Sequence, residues 1–147
     1  MRFIKIEHYL GNDEMSVNLC EKETEKYNEY FDKEIRDTFS KKFITEYFKF
    51  TGFHDWILQC VKQCYDGKRN TVFVTLYDDY TKQSKTIKYQ NVQSFKCCFN
   101  ENHFQDVRHD EYGIDEFYKI SDKRFSHEVC GPSGSNYYIE FQKISIE

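Results

Sequence analysis

The sequence predicts a single α+β domain over residues 1–147, in which two N-terminal helices pack on a mainly antiparallel, twisted β-sheet arranged as a meander. Three observations predict this class. Apolar residues recur at helical intervals between residues 15 and 50, they alternate with the period of a strand between residues 53 and 99, and strand-like patterns resume after residue 117. A run of helices followed by a run of strands is typical of α+β domains.

The N-terminal third of the chain is expected to hold one strand followed by two helices. Alternating apolar and polar residues from Phe3 to Glu7 predict the strand. Between residues 27 and 47 an aromatic or isoleucine stands at every fourth position, interrupted by the polar residues 36–38, which indicates two helices with a break near residues 37–40. Gly52 is a natural stop for the second helix, because glycine readily adopts the left-handed conformation that ends many helices.

The centre of the chain, from Phe53 to Phe99, predicts the meander. Aliphatic residues at positions 72, 74 and 76 alternate with aromatic or β-branched ones, which is typical of a strand buried on one face and partly covered on the other. Asp66-Gly67 predicts a tight turn before this strand because it tolerates positive φ. The polar run from Asp78 to Lys85 predicts a hairpin end after it.

Strand-like patterns return in the C-terminal part of the chain. A stretch from Phe117 to Cys130 is followed by a loop at Gly131–Asn136 and by a last strand. In that strand the apolar residues stand first at odd positions (137, 139 and 141) and then at even ones (144 and 146). Because side chains alternate between faces, this change of parity predicts a bulge or bend near Gln142 and Lys143.

Composition and charge limit the classes of function. The formal net charge is −4 with 31% charged residues, whereas general binders of nucleic acid or anionic membranes need a net basic face. No apolar run reaches the ~18 residues of a membrane span, and Arg2, Lys5 and Glu7 interrupt the N-terminal region where a signal peptide would be apolar. We therefore expect a cytoplasmic protein that binds neither nucleic acid nor membranes and carries no cofactor.

Six cysteines raise the alternative of a zinc site, made by Cys60, Cys64, Cys97 and Cys98. If residues 56–64 form a strand, Cys60 and Cys64 lie about 13 Å apart at ~3.3 Å per residue, too far to share an ion. Only a helix would bring them together. Cys97 and Cys98 are adjacent and would point to opposite faces of a strand. We therefore expect reduced cysteines that pack as small apolar side chains.

Two histidine–carboxylate pairs, His54–Asp55 and His127–Glu128, are the candidates for acid–base or metal chemistry. A histidine oriented by a carboxylate is a competent general base or metal ligand, so a hydrolase or metal-dependent enzyme is one alternative for this chain. Neighbours in a strand point to opposite faces, so a pair lines one pocket only if it lies in a turn. The simpler interpretation is structural, with His54 or Asp55 satisfying backbone groups and His127 hydrogen-bonded inside the sheet.

The most uneven charge lies between residues 101 and 116, where six carboxylates accompany one arginine, Arg108. Carboxylates steer the approach of a basic protein, and the aromatic residues between them can anchor it. This pattern predicts a partner-binding surface made by Asp106, Asp110, Glu111, Tyr112, Asp115 and Glu116. A solvated loop without a partner is the alternative.

Short motifs along residues 53–146 carry a family resemblance. They are F-H-D at 53–55, I-x-Y-x-N-V-x-x-F at 87–95, D-E-F at 115–117, F-S-H-E-V at 125–129 and Y-Y-I-E-F-Q-K-I at 137–144. In these motifs the chain resembles a broad set of small bacterial α+β domains of unknown function, presumed immunity proteins among them. The resemblance implies a non-enzymatic role, the cytosolic binding and neutralisation of a toxin. It makes His54, Asp55, His127 and Glu128 family-marking positions with structural roles. We therefore predict an immunity or antitoxin-type protein with a basic toxin as partner.

Overall fold

The computed structural model describes residues 1–98, 111–132 and 134–147. Three helices come first, namely α1 (Ile6–Tyr9), α2 (Glu14–Tyr30) and α3 (Lys41–Lys49), and a π-helical turn at Phe31–Ile35 and a 3₁₀ turn at Arg36–Thr38 separate the last two. The predicted break near residues 37–40 is confirmed. That the two long helices pack as a pair on one sheet face stays a prediction.

Side-chain caps fix where the two long helices begin. The carboxylate of Asp13 accepts a hydrogen bond from the backbone N–H of Ser16 (3.0 Å), and the hydroxyl of Ser40 accepts one from the backbone N–H of Phe43 (3.2 Å). Each cap satisfies one of the backbone donors that a helix leaves open at its start. Helix α3 ends at Lys49 with Phe50 as its C-cap, and the left-handed backbone that follows begins at Thr51 (φ 51°) and continues at Gly52 (φ 68°), so the helix stops before the predicted glycine.

In the described residues eight strands follow the helices. They are β1 (Ile57–Tyr65), β2 (Asn70–Asp78), β3 (Gln83–Gln90), β4 (Ser94–Cys98), β5 (Ile114–Ser121), β6 (Arg124–Cys130), β7 (Asn136–Phe141) and β8 (Lys143–Ile146). They form two four-stranded antiparallel sheets, ordered β1-β2-β3-β8 and β4-β7-β6-β5. The α+β class and the antiparallel pairing are confirmed, whereas the prediction of one meander sheet is wrong.

The chain passes from one sheet to the other at two neighbouring turns. Residues 91–93 connect β3 to β4, and Gln142 connects β7 to β8. The backbone N–H of Gln142 donates to the carbonyl of Gln90 (3.1 Å), and that of Gln93 donates to the carbonyl of Glu140 (2.9 Å). These bonds tie both turns into one corner. The predicted bend near Gln142 and Lys143 is thereby confirmed.

The prediction of a strand from Phe3 to Glu7 is wrong. Helix α1 begins at Ile6, and the residues before it run past β5 without joining a sheet. Their backbone N–H groups, those of Arg2, Phe3 and Ile4, donate to the carboxylate of Glu116 in β5. A side-chain acceptor thus replaces the strand ladder that these donors would otherwise need.

Buried side chains from the helices and from both sheets form one cluster. In β2 the side chains of Val72, Val74 and Leu76 are fully buried, as their alternation predicts. Helix α2 covers the open edge of β5, because the hydroxyl of Tyr27 accepts a hydrogen bond from the backbone N–H of Phe117 (2.6 Å) and Tyr30 does the same for Lys119 (2.9 Å). Covering an edge in this way prevents it from pairing with another chain.

Within the described ranges, no helix has the length and the apolar character needed to span a membrane.

Candidate functional site

A cavity of about 250 Å³ lies between α2, α3, the turn after α3 and the start of β5. Its wall includes Tyr27, Tyr47, His54 and Asp115, and we call it the Asp115 cavity. The hydrogen bonds between α2 and β5 hold two of its sides together. The backbone of Tyr112 exchanges hydrogen bonds with Asp55 (2.9 Å) and with Trp56 (2.7 Å), which holds the turn after α3 against the start of β5.

Asp115 is the acidic residue of the cavity wall, and its side chain is 10% exposed. Its Oδ2 atom lies 2.7 Å from Nε2 of His127, 3.1 Å from the hydroxyl of Tyr112 and 2.8 Å from the hydroxyl of Tyr47. The Oδ1 atom lies 2.8 Å from the same Tyr47 hydroxyl. An ionised carboxylate only accepts hydrogen bonds, so this arrangement of donors suits the charged form.

His127 lies behind Asp115 and is fully buried. The ring of Phe117 stacks on it, with centroids 3.8 Å apart and planes 12° apart, and the hydroxyl of Tyr89 lies 2.6 Å from Nδ1. Burial lowers the pKa of His127, against the opposing effect of Asp115, so the ring is neutral at neutral pH. Because Asp115 can only accept, we assign the ring proton to Nε2, and Tyr89 then donates to Nδ1.

The tyrosines around the pair act as hydrogen-bond donors. Burial raises the pKa values of Tyr47, Tyr89 and Tyr112 well above the ordinary value, so all three keep their protons. Asp115 therefore receives three hydrogen bonds, each from a neutral group. Within the described residues no lysine or arginine nitrogen lies within 4.0 Å of its carboxylate. The cavity thus presents a negative charge that these neighbours solvate without balancing it.

His54 stands at the rim of the same cavity, with a side chain that is 42% exposed. Its Nδ1 atom lies 2.9 Å from the carboxylate of Asp55 and its Nε2 atom 3.0 Å from the hydroxyl of Tyr9. Asp55 has a φ of 66°, so this pair lies in a turn, where adjacent side chains can touch. Both ring nitrogens are engaged in hydrogen bonds.

The backbone beside His54 is strained. Thr51, Phe53 and Asp55 have φ values of 51°, 65° and 66°. Residues other than glycine rarely adopt this left-handed region, at a cost of about 1–3 kcal/mol each, and they concentrate at functional sites. Four of the five residues from 51 to 55 have positive φ when Gly52 is included, so this turn is held by its surroundings. It forms part of the cavity wall, which favours a functional interpretation of the cavity.

The second predicted pair does not act together. His127 and Glu128 are neighbours in β6 and point to opposite faces, so His127 pairs with Asp115 while Glu128 lies 2.8 Å from the amino group of Met1. His127 is hydrogen-bonded inside the sheet, and its interpretation as a structural residue stays a prediction. His54 and Asp115 line the cavity, whereas His127, which contacts Asp115, is not among its lining residues.

The acidic stretch divides into two parts. Asp106 and Asp110 lie outside the described residues. Glu111 is half-buried, whereas Tyr112 is 2% and Glu116 0% exposed. Buried side chains are not available to a partner, so the predicted docking role of Tyr112 and Glu116 is corrected, and Asp115 can meet a partner only through the cavity. The apolar neighbours that the sequence pattern assigns to anchoring draw these residues into the core instead.

Glu116 has a structural role. It accepts hydrogen bonds from the backbone N–H groups of Arg2 (2.8 Å), Phe3 (3.1 Å) and Ile4 (2.6 Å). Burial raises the pKa of this carboxyl, while the same hydrogen bonds oppose the rise. The carboxylate therefore fastens the N-terminal residues to β5.

The described residues contain no group of three or more His, Cys, Asp or Glu side chains placed to hold a metal ion. Cys60 and Cys64 lie in β1, where Cys60 is exposed and Cys64 half-buried, and Cys97 and Cys98 end β4 in the other sheet. Residues 57–65 are a strand, as the argument against a shared zinc ion assumes.

Sequence reasoning missed the contact between Asp115 and His127. The charge pattern places Asp115 on a surface, and the chain order pairs His127 with Glu128. The sequence offers one indication of this contact, which is that Asp115 and Phe117 stand two residues apart and so share one face of β5. The strand register pairs Phe117 with His127 in β6, and this brings Asp115 within reach of the imidazole.

Comparisons with known proteins add no family to this description. A scan against protein-family models finds no match for this chain, and a search of curated proteins finds no matching relative.

Proposed function

We propose that this chain is a non-enzymatic binding module for a basic partner protein, and that the Asp115 cavity receives a cationic group of that partner. One observation carries the proposal. A nine-tenths buried carboxylate stands at an open cavity and is surrounded by neutral donors only. A cation placed about 4 Å away would gain roughly 4 kcal/mol at an effective dielectric constant near 20, before its own desolvation cost.

The size of the cavity favours a side chain over a metabolite. At about 250 Å³ it is smaller than the roughly 300–1,000 Å³ of typical small-molecule sites. A single basic side chain projecting from a protein surface fits this description, and the net charge of −4 favours the approach of a basic partner. The narrower proposal is that of an immunity or antitoxin-type protein that neutralises a basic toxin, supported by the motif resemblance.

A hydrolase or metal-dependent enzyme built on the two histidine pairs is less well supported. His127 is fully buried behind Asp115, so it cannot reach a substrate in the cavity. His54 is exposed but has both ring nitrogens engaged. The two pairs therefore do not converge on one reacting atom, which general acid–base catalysis requires.

The test uses the protein encoded by the gene next to this one, because toxins and their immunity proteins are commonly encoded together. The two purified proteins are titrated by calorimetry, with the wild type, Asp115→Asn and Asp122→Asn compared. Asp122 is the matched control, since its side chain is 97% exposed on a turn. We expect Asp115→Asn to weaken binding at least tenfold, because removing one member of a buried ion pair costs about 2–5 kcal/mol, and Asp122→Asn to leave it within twofold. Absence of binding by the wild type would overturn the proposal.

The acidic stretch stays a separate prediction about association rate. Replacing Asp106, Asp110 and Glu111 by lysine should slow association with the same partner, and the effect should shrink as salt is raised, because exposed charges act over the Debye length. Stopped-flow rates at low and high ionic strength measure it. Equal rates for the variant and the wild type at low salt would remove this stretch from the interface.

A further inference from the structure

We infer that the Asp115 cavity selects a primary ammonium group, such as that of a lysine side chain, over a guanidinium group. This inference rests on the proposed function and names the chemistry of the group that the cavity receives. It follows from how many acceptor positions the surrounding residues leave open, and on which atoms.

The two oxygens of Asp115 are unequally occupied. Oδ2 accepts hydrogen bonds from His127 and Tyr112, and the hydroxyl of Tyr47 lies 2.8 Å from both oxygens. Each carboxylate oxygen offers about two acceptor positions, and a hydroxyl has one proton to donate. His127 and Tyr112 therefore fill Oδ2, the Tyr47 proton goes to Oδ1, and Oδ1 has one position left. A guanidinium binds a carboxylate best through two parallel bonds, one to each oxygen, and here the second oxygen is taken. An ammonium needs only one.

An ammonium group has three N–H donors, so it needs acceptors besides Oδ1. The hydroxyl of Tyr47 donates its proton to Asp115, so the hydroxyl oxygen can accept a hydrogen bond from the ligand. The cavity wall also contains Asn28 and Thr51, and the Thr51 hydroxyl donates its proton to the carbonyl of Phe50. Its oxygen can accept as well. These are single acceptor atoms spread around a wall, which suits the compact charge of an ammonium better than a planar fork.

Aromatic residues also line the cavity, and they attract a cation of either kind. Tyr27 and Tyr47 line the cavity, and the faces of their rings attract a cation. The guanidinium of Arg36 lies over the ring of Phe48, a residue of the cavity wall, 4.7 Å from its centroid, and is bound to Asp32 at 2.6 Å. Arg36 is therefore already paired and does not serve as the counterion of Asp115.

A metal ion is a poorer ligand for this site. The cavity offers one carboxylate, and in the described part of the chain no third acidic, histidine or cysteine side chain joins it and His127 in a group suited to a metal. His127 directs its Nε2 proton at Asp115, so it has no lone pair to give there.

The experiment titrates the full chain with n-butylammonium chloride and, separately, with n-butylguanidinium chloride at constant ionic strength. Binding is followed by the backbone amide signals of Gly52, Gly113 and Ile114, which line the cavity, in ¹H–¹⁵N correlation spectra. We expect a saturable shift with butylammonium and a dissociation constant at least threefold higher for butylguanidinium. Asp115→Asn should abolish saturation, and Asp122→Asn should leave the constant within twofold.

Three results would overturn the inference: no saturable shift in the wild type, an equal or tighter constant for butylguanidinium, or an unchanged constant in Asp115→Asn. If Asp115→Asn does not fold, as judged by its amide dispersion, Thr51→Val replaces it. That variant removes one acceptor of the cavity wall and leaves the carboxylate and its donors in place, so it should raise the constant for butylammonium at least threefold. An unchanged constant would equally refute the inference.

The result is independent of the partner titration. Butylammonium binding together with no binding of the neighbouring gene product would retain the ammonium site and refute the protein-binding function. Binding of that product without any effect of butylammonium would retain the protein-binding function and refute the ammonium site.

Discussion

The hydrogen bond from Tyr47 to Asp115 tests whether the cavity holds a negative charge. Tyr47 is 7% exposed and its hydroxyl lies 2.8 Å from both carboxylate oxygens. Tyr47→Phe removes this hydroxyl and keeps the ring. We measure the variant in two backgrounds, the wild type and Asp115→Asn. The difference separates the energy of the hydrogen bond to the carboxylate charge from the other contributions of the hydroxyl to stability.

The expected magnitudes follow from the state of the acceptor. A hydrogen bond to a charged group contributes about 1.5–3 kcal/mol to the free energy of unfolding, and a neutral one about 0.5–1.5 kcal/mol. Tyr47→Phe should therefore cost about 2 kcal/mol in the wild type, or roughly 4–8 °C in Tm for a chain of this size. In the Asp115→Asn background it should cost about 1 kcal/mol less, and this difference is the coupling energy.

Urea unfolding followed by circular dichroism measures all four proteins of the cycle, with equal m-values as the check that only stability changes. The cost of Tyr47→Phe is the decisive quantity. If it is the same in both backgrounds, Tyr47 does not interact with a carboxylate charge. The electrostatic basis of the proposed binding site would then be refuted.

Three further predictions concern the surroundings of the cavity. Tyr27→Phe leaves a buried strand N–H without its acceptor and should lower the free energy of unfolding by about 1–3 kcal/mol. Tyr80→Phe, at a side chain that is 94% exposed, should change it by less than about 0.5 kcal/mol, and equal urea midpoints for the two would contradict the role of α2 as an edge cover. Gly52→Ala places a Cβ atom 3.0 Å from the hydroxyl of Tyr47, whereas the Cβ atom of Gly67→Ala meets nothing within 4 Å at a similarly positive φ. Both variants strain the backbone, so the additional loss in free energy of unfolding for Gly52→Ala, expected to be about 1 kcal/mol, measures the contact with Tyr47. Equal losses for the two variants would show that the Tyr47 ring moves away without cost. Because burial lowers the pKa of His127, the folded ring stays neutral below pH 6.5 while the unfolded chain takes up a proton, so stability is lost as pH falls below about 6.5, by up to ~1.4 kcal/mol per pH unit. Imidazole ¹⁵N shifts followed as pH is lowered should show a neutral Nε2–H ring at pH 6.5, and a titration midpoint at 6.5 or above would contradict the lowered pKa.

Much of the fold was predictable because it depends on local patterns. The alternation in β2 reflects a strand with one buried face. The four-residue interval between the apolar residues from 27 to 47 reflects helices with one apolar stripe. The change of parity after Phe141 correctly placed the bend at Gln142, since a strand cannot bury residues of both parities without one. In each of these cases neighbours in sequence supply the physical cause.

Predictions failed where distant contacts decide. The alternation from Phe3 to Glu7 is that of a strand, yet Glu116, more than a hundred residues away, takes the backbone donors that a strand would use. Likewise the acidic residues near Tyr112 read as a surface, but the aromatic residues among them are drawn into the core and bury two of the six candidates. The free energy gained by burying an aromatic ring outweighs the preference of the neighbouring charged residues for solvent, and a local charge pattern does not show this.

By itself, the sequence determined that this protein mixes helices with antiparallel strands and where most of those elements lie. Only the tertiary structure decided that His127 pairs with Asp115, that the strands divide into two sheets, and that Asp115 faces a cavity with three neutral donors and no described cation beside it. The reason is physical. Periodicity specifies which side of an element is buried, whereas a binding site depends on the register and packing that bring side chains from α3, β5 and β6 to within hydrogen-bonding distance.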